Sequence, residues 1–282
     1  MTDPVRSDGA RLAVLGAPIA HSRSPRLHGA AYRELGLDWE YGAVEVDAAG
    51  LRGFLDSRDE TWRGLSLTFP LKHEVLGLVD RVDRVAGIAG AANTVRFAEG
   101  RRLGFNTDVG GIVRSLREEG VRGLERAAVV GGGATASSAL IALAELGAGR
   151  IDVFVRNPAK ADALVALGDR LGVSIRLRPV GDLATAQEDI GVVVATLPGG
   201  TDLGIGASES LRTRALLLDV VYGTWPTPLA TDWAAVGGRA IDGLGMLLHQ
   251  ALLQVRIFVH GDPNAPVAHE DRVLAAMRAS IA

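Results

Sequence analysis

No cysteine occurs among the 282 residues, which excludes disulfides, thiolate metal sites and a cysteine nucleophile. The six histidines show no H-x-x-x-H or comparable ligand spacing, so no metal is expected. Neither sign of charge dominates: 33 acidic residues stand against 30 basic ones, a net −3, so no broad basic field attracts nucleic acid or an anionic membrane. A small-molecule partner is the expectation. A signal-peptide core is lacking, because Gly16 and Pro18 interrupt the short apolar run near the N-terminus; a cytoplasmic protein is expected. Residues 127–144 are uncharged and approach the length of a membrane span, but glycine, alanine, serine and threonine fill much of the stretch, and no membrane helix is read there. There is also no fixed-period repeat, no low-complexity tract and no obvious linker.

What is present is an alternation of strand-like and helix-like runs, an α/β pattern. Strands are expected at 12–15, 40–46, 64–67 and 94–97, and a second series near 128–130, 151–155, 174–177, 191–195 and 216–221. Ser24-Pro25 reads as a helix start, with a capping hydroxyl and a proline whose missing N–H costs nothing there. After Gly243 the chain turns helical through MLLHQALLQVRIFVH, and a final amphipathic run begins at Pro266. Motif order places a substrate lobe at 1–107 plus 243–282 and a Rossmann-like cofactor lobe at 108–242. Gly110, Gly111 and Gly243, near the crossings, are candidate hinges for closure over ligands.

VVGGGATA, at 129–136, lies between an expected strand and an expected helix. Gly131 and Gly133 suit the tight turn and close approach of a dinucleotide loop, with Ala136 at the third glycine position. A helix starting there aims its N–H groups and positive dipole end at phosphates. The next strand ends in VRNPAK, without the acidic residue that holds ribose hydroxyls in NAD-binding folds. Arg156 stands there instead, and with Asn157 and Lys160 it suits a 2′-phosphate, which favours NADP. The alternative is a set of ordinary solvated charges.

Polar residues crowd the expected strand ends of the first lobe: HSRSP at 21–25, SLTFPLK at 66–72, GAANT at 90–94 and GFNTD at 104–108. Lys72, after a proline-fixed turn, can hydrogen-bond a carbonyl oxygen and donate a proton as hydride arrives, and Asp108 can pair with it. Taken singly, Lys72 fits a surface lysine and Asp108 a helix-capping aspartate; it is their company that suggests chemistry. Ser22 and Ser24 suit a carboxylate. Thr68, Asn93 and Gln250 offer neutral hydrogen bonds to a polyhydroxylated ligand.

Seven strings together resemble the shikimate dehydrogenase family: GAPIAHSRSPRLH at 16–28, SLTFPLK, GAANT, GFNTD, GGGATA at 131–136, DVVYGTWPTPL at 219–229 and DGLGMLLHQA at 242–251. They keep the family's order and cover most of the chain. The resemblance implies NADPH-dependent, reversible reduction of 3-dehydroshikimate to shikimate on the route to chorismate and the aromatic amino acids. It implies Lys72 and Asp108 as the catalytic pair. Ser22, Ser24, Thr68, Asn93, Asp108 and Gln250 would hold substrate, with Tyr222 nearby. Gly131, Gly132, Gly133, Ala134, Thr135, Arg156, Asn157, Lys160, Val220 and Gly243 would line the cofactor. A homodimer and a monomer are both compatible with such a chain. Ser66, Leu67, Gly29, Ala134 and Val155 depart from the common family pattern, which bears on loop geometry and cofactor affinity more than on reaction type. Two rivals are a quinate/shikimate dehydrogenase using NAD and a non-catalytic dinucleotide-sensing module. Ser24 and VRNPAK argue against the first, and retention of both Lys72 and Asp108 against the second.

Overall fold

The computed structural model describes residues 9–186 and 189–282. The first eight residues, on which part of the leader reading rests, lie outside the described set. The chain forms two compact units, one running to Gly111 and taking in Leu247–Ala282, the other Ile112–Met246.

The first unit runs β1 (Arg11–Gly16), α1 (Ser24–Glu34), β2 (Glu40–Glu45), α2 (Leu51–Asp56), β3 (Trp62–Leu67), α3 (Leu71–Glu74), β4 (Arg81–Val82), α4 (Arg84–Ala89), β5 (Thr94–Ala98) and β6 (Arg101–Phe105), and α5 (Asp108–Glu118) leads out of it. Its sheet has the order β2-β1-β3-β5-β6-β4. Ala13 and Leu15 on β1 and Leu65 and Leu67 on β3 alternate onto one face, where they share a buried cluster with Leu51 and Leu55, one turn apart on α2. Each leucine buried this way contributes about 1.5–3 kcal/mol.

The sequence reading missed β4, β6 and β12 (Ala240–Ile241). The signal for β6 was local: Glu99 and Gly100 both take positive φ, 52° and 71°, the two-residue turn that joins tight hairpins. RRLGF hid the strand because only part of it is buried.

The second unit runs β7 (Arg126–Val130), α6 (Ala134–Glu145), β8 (Arg150–Val155), α7 (Asp162–Leu171), β9 (Ser174–Pro179), β10 (Val192–Ala195), α8 (Glu209–Arg214), β11 (Leu216–Asp219), α9 (Pro228–Ala234) and β12. All its pairings are parallel, in the order β12-β11-β10-β7-β8-β9. β7 is first in sequence yet central in the sheet, between β8 and β10, so the order reverses there as in doubly wound dinucleotide-binding sheets. β10 and β11 are buried at every residue, as their unbroken apolar runs require of strands covered on both faces. The uncharged stretch at 127–144 is thus most of β7, a glycine loop and most of α6.

α10 (Leu244–His260) and α11 (Glu270–Ala279) end the chain. Arg256 Nε donates to Glu270 at 2.7 Å, and Arg23 Nη1 donates to the carbonyl of Ile281 at 2.8 Å, tying the C-terminus to the start of α1. Among the described residues no helix is long and apolar enough to cross a membrane.

Candidate active site

Strand direction collects the polar strings of the first unit at one sheet edge. β1 and β3 run parallel with Leu15 beside Leu67, so the loops that follow them leave together. β5 runs antiparallel to β3 with Ser66 opposite Thr94, so Asn93, just before β5, comes to that same edge. β6 reverses again, placing Phe105 opposite Thr94, and Asn106, Thr107 and Asp108 emerge beside Asn93.

At that edge Lys72 Nζ lies 2.6 Å from Asp108 Oδ2. The lysine side chain is 14% exposed and the aspartate 4%, so the ammonium is the reachable member of a largely buried pair. Asn93 Nδ2 donates to the other carboxylate oxygen at 2.8 Å and to Thr107 Oγ1 at 2.9 Å, with a longer contact of 3.4 Å to Gln250 Oε1. The Asn93 oxygen accepts the Thr107 N–H at 2.9 Å, which settles which end of the amide faces the carboxylate. Gln250 donates to the carbonyl of Leu247, one turn back on α10, at 2.9 Å. Lys72, Asn93, Asp108 and Gln250, named from sequence, are therefore brought together.

Ser22, Ser24 and Thr68 stand on the neighbouring segments after β1 and β3. One expectation is corrected here. Ser24 does not cap α1: Arg23 is the N-cap residue, without a side-chain cap bond, and the hydroxyl of Ser22 accepts the Ser24 N–H at 3.3 Å. Proline at the second helical position leaves Ser24 inside the first turn, so the capping oxygen comes from one residue before the N-cap. Asp108 does not cap α5 either, since Asn106 Oδ1 accepts the N–H groups of Asp108 and Val109. Sequence reasoning also missed Thr107, Ser66 and Gln254. The signal for Gln254 was its spacing of four from Gln250, which puts both amides on one face of α10.

In the second unit β7, the glycine loop and α6 follow one another as a dinucleotide loop requires. Gly131 has φ +122°, closed to side-chain-bearing residues, and a Cβ there would run into Thr196. Thr196, after β10, donates its N–H to the carbonyl of Val130 at 2.8 Å, so the loop opens at the point where strand order reverses. Gly133 differs. Its φ of −90° suits any residue, and nothing lies within 4 Å of where its Cβ would stand. It gives α6 no side-chain cap, and the first turn holds no acidic residue. That space at a helix N-terminus fits a pyrophosphate. Gly132, Ala134 and Thr135 complete the turn.

Arg156, Asn157 and Lys160 are exposed at the end of β8. Asn157 is partly engaged, its Oδ1 accepting the Ala159 N–H at 3.2 Å to cap the short turn Pro158–Lys160. The two guanidinium and ammonium groups fit a 2′-phosphate. Val220 and Gly243 meet: Gly243 donates its N–H to the carbonyl of Val221 at 2.9 Å, and a Cβ at Gly243 would collide with the Val220 backbone. Gly110 likewise leaves room for Leu253, so both glycines serve close approach. Tyr222 follows β11 on the same segment as Val220. A cavity of ≈ 500 Å³ in this unit, between the segments around Leu203 and Thr231, is lined by none of the residues given a catalytic, substrate or cofactor role from sequence, although Asp219, Val221 and Thr227 on its wall belong to the DVVYGTWPTPL string. Asp219 on its wall has its carboxyl raised by burial, against the opposing hydrogen bonds from Thr227 and the Val221 N–H.

Comparison with known proteins adds independent findings. The family model for the shikimate dehydrogenase substrate binding domain matches residues 14–95. A Sphingopyxis alaskensis protein named shikimate dehydrogenase (NADP(+)) is 35% identical over 284 residues, covering 98% of this chain and 99% of the relative. The crystal structure of Mycobacterium tuberculosis shikimate dehydrogenase superposes with a TM-score of 0.83 at 39% identity, covering 96% and 99% of the two chains. That of the Thermus thermophilus enzyme in complex with NADP(H) and shikimate does so at 0.77 with 29% identity and the same coverage.

Proposed function

The chain belongs to the shikimate dehydrogenase family, and we propose that Lys72 and Asp108 are the pair through which it interconverts 3-dehydroshikimate and shikimate with NADP(H). It is an NADP-dependent oxidoreductase acting on a CH–OH group. The observation that carries the assignment of the pair is the 2.6 Å contact, at a strand edge where Asn93 and Gln250 supply further polar groups.

An ammonium has three hydrogens and no acceptor site. Asp108 takes one of those of Lys72 and orients the group, leaving another for the substrate's ring oxygen. In the reducing direction NADPH, when bound, supplies hydride to the carbonyl carbon. The C=O π electrons move to oxygen, and Lys72 Nζ delivers a proton there, so that a C–H and an O–H bond form together. Lysine is left neutral beside the Asp108 carboxylate and recovers its proton from water. In the oxidising direction the neutral lysine accepts the hydroxyl proton. The gain comes from holding a donor where negative charge develops, which placed acid–base groups supply to about 10²–10⁴-fold.

Ser22 and Ser24 are assigned to the substrate carboxylate, and Thr68, Asn93 and Gln250 to its ring hydroxyls. The first unit thus takes substrate, and the second takes NADP through the Gly131–Gly133 turn with Arg156 and Lys160 on the 2′-phosphate. The test is oxidation of NADPH and of NADH on adding 3-dehydroshikimate, with the reverse reaction run on shikimate and on quinate. NADPH-linked turnover selective for shikimate supports the reading; NADH-linked turnover favouring quinate, or none, overturns it.

A further inference from the structure

A line of buried and half-buried groups leads away from the Lys72–Asp108 pair into the first unit, where the reaction has no evident use for them. It begins at Tyr41, whose hydroxyl donates to Ser66 Oγ at 2.6 Å, and Ser66 donates in turn to Gln254 Oε1 at 2.8 Å. The other end of the Gln254 amide donates to Thr94 Oγ1 at 3.1 Å and to the carbonyl of Asn93 at 3.2 Å. Thr94 donates to Asn93 Oδ1 at 2.9 Å, and Asn93 Nδ2 donates to Asp108 Oδ1 at 2.8 Å. Every bond points the same way, from a phenol to a carboxylate.

The direction is set by chemistry. Asp108, as a carboxylate, only accepts, so Asn93 must turn its nitrogen toward it. The Asn93 oxygen then needs donors, and three face it: the Thr107 backbone N–H and the Thr94 hydroxyl, each at 2.9 Å, and the Thr107 hydroxyl at 3.2 Å. A hydroxyl has one hydrogen, which Thr94 gives to Asn93, and a donor onto its lone pair fixes the hydroxyl's rotation and strengthens that bond. Gln254 is that donor. The Gln254 amide is itself held against flipping, since its oxygen faces Ser66 and, at 3.2 Å, His28 Nε2. Burial holds the His28 pKa at about 3, so the imidazole is neutral and has one N–H. Tyr32 OH, 3.1 Å from Nδ1, can donate there, leaving the hydrogen on Nε2 to face Gln254. Gln254 is 1% exposed, Thr94 0% and Asn93 1%, so bulk water does not reach these groups.

We propose that Gln254 is a positioning residue for the proposed reaction, acting through Thr94 and Asn93 to hold the Asp108 carboxylate toward Lys72. The proposal rests on the assignment of Lys72 and Asp108 as the reacting pair. It also gives a place to Ser66, which departs from the family pattern: its hydroxyl is the link between Tyr41 and Gln254.

The test compares Gln254→Met, which keeps length and loses both ends of the amide, with Thr94→Val and Thr94→Ser, each in the wild-type and Asp108→Asn backgrounds. For Gln254→Met and Thr94→Val, kcat should fall about tenfold, the scale of a lost hydrogen bond relayed to a charged group, with a smaller change in substrate KM. The isotope effect with deuterated NADPH should rise as proton and hydride transfer become limiting, and Thr94→Ser should restore most of the rate. In the Asp108→Asn background the Gln254 effect should shrink toward nothing. Equal losses in both backgrounds, or kcat within twofold of wild type, overturn the proposal. Hydrogen exchange of the Asn93 side-chain amide, followed by NMR without ligands, is independent of turnover. It should accelerate in Gln254→Met, and unchanged protection also overturns the proposal. Should wild-type protein fail to reduce 3-dehydroshikimate, the functional reading falls by itself, and the exchange measurement still decides whether Gln254 positions Asn93.

Discussion

Asn106 Oδ1 accepts the backbone N–H of Asp108 at 3.0 Å, and by doing so relieves Asp108 of capping the helix it begins. A carboxylate at a helix N-terminus can turn back to accept the free N–H groups of the first turn. Here the cap comes from two residues earlier, and the Asp108 carboxylate points to Lys72 and Asn93 instead. Asn106 is held in turn by donating to the carbonyl of Ala91 at 2.9 Å.

Asn106→Ala should therefore act twice. Loss of the cap should cost about 1–2 kcal/mol, read from denaturant unfolding. The orphaned first turn should also compete for the carboxylate, lowering kcat in protein that remains folded. A stability loss without a kcat loss would show that Asp108 keeps its place unaided.

Lys72→Ala should lower kcat by about 10²–10⁴-fold, the range for a removed acid–base group. Shikimate binding, measured by calorimetry, should weaken only modestly, because Asn93 and Gln250 keep their positions. Full turnover in this variant would assign the proton to another group.

Two glycines of one loop should separate fold from ligand. Gly131→Ala forces a side chain into a φ of +122° and against Thr196, and should cost about 1–3 kcal/mol of stability. Gly133→Ala meets nothing within 4 Å and should leave the unfolding midpoint near wild type while weakening NADPH binding. Unaltered NADPH affinity in Gly133→Ala would move the pyrophosphate elsewhere.

Arg156→Ala should raise the KM for NADPH about tenfold or more, since a charge-assisted contact to phosphate contributes roughly 1.5–3 kcal/mol, and should leave NADH almost unaffected. Equal effects on both cofactors would mean that Arg156 does not read the 2′-phosphate.

His28 makes stability depend on pH. Its folded pKa of about 3 lies below the ordinary 6.5, so between these values the unfolded chain binds a proton that the folded chain does not. Stability from this group is complete above the upper value and is lost as pH falls through the window, by at most about 1.4 kcal/mol per pH unit. His28→Gln should have a shallower acid slope than wild type in the same buffers; parallel slopes would show that the imidazole takes up its proton without unfolding.

Much of this was legible in the chain itself. The glycine turn, the alternation of apolar runs and the polar strings at strand ends are local patterns, and they located β7, α6, Lys72 and Asp108. The hairpin of β5 and β6 was legible in principle through Glu-Gly at 99–100 but escaped notice because β6 is only partly buried. The capping of α1 by Ser22 turned on one residue of offset that composition does not reveal.

By itself the sequence determined which chemical groups exist and where the backbone turns, because residue type and short-range sterics decide both. It excluded thiol chemistry and favoured a cofactor with a 2′-phosphate over one whose ribose hydroxyls are held by a carboxylate. Only the tertiary structure decided which groups meet. Lys72 and Asp108 are 36 residues apart, and Gln254 is 188 residues from Ser66 and 160 from Thr94. Those meetings depend on β5 running antiparallel to β3 and on α10 returning to the first unit, and strand direction and helix return are settled by packing over the whole unit. So is the direction of each buried hydrogen bond, because an amide or a hydroxyl has no preferred orientation until its neighbours impose one.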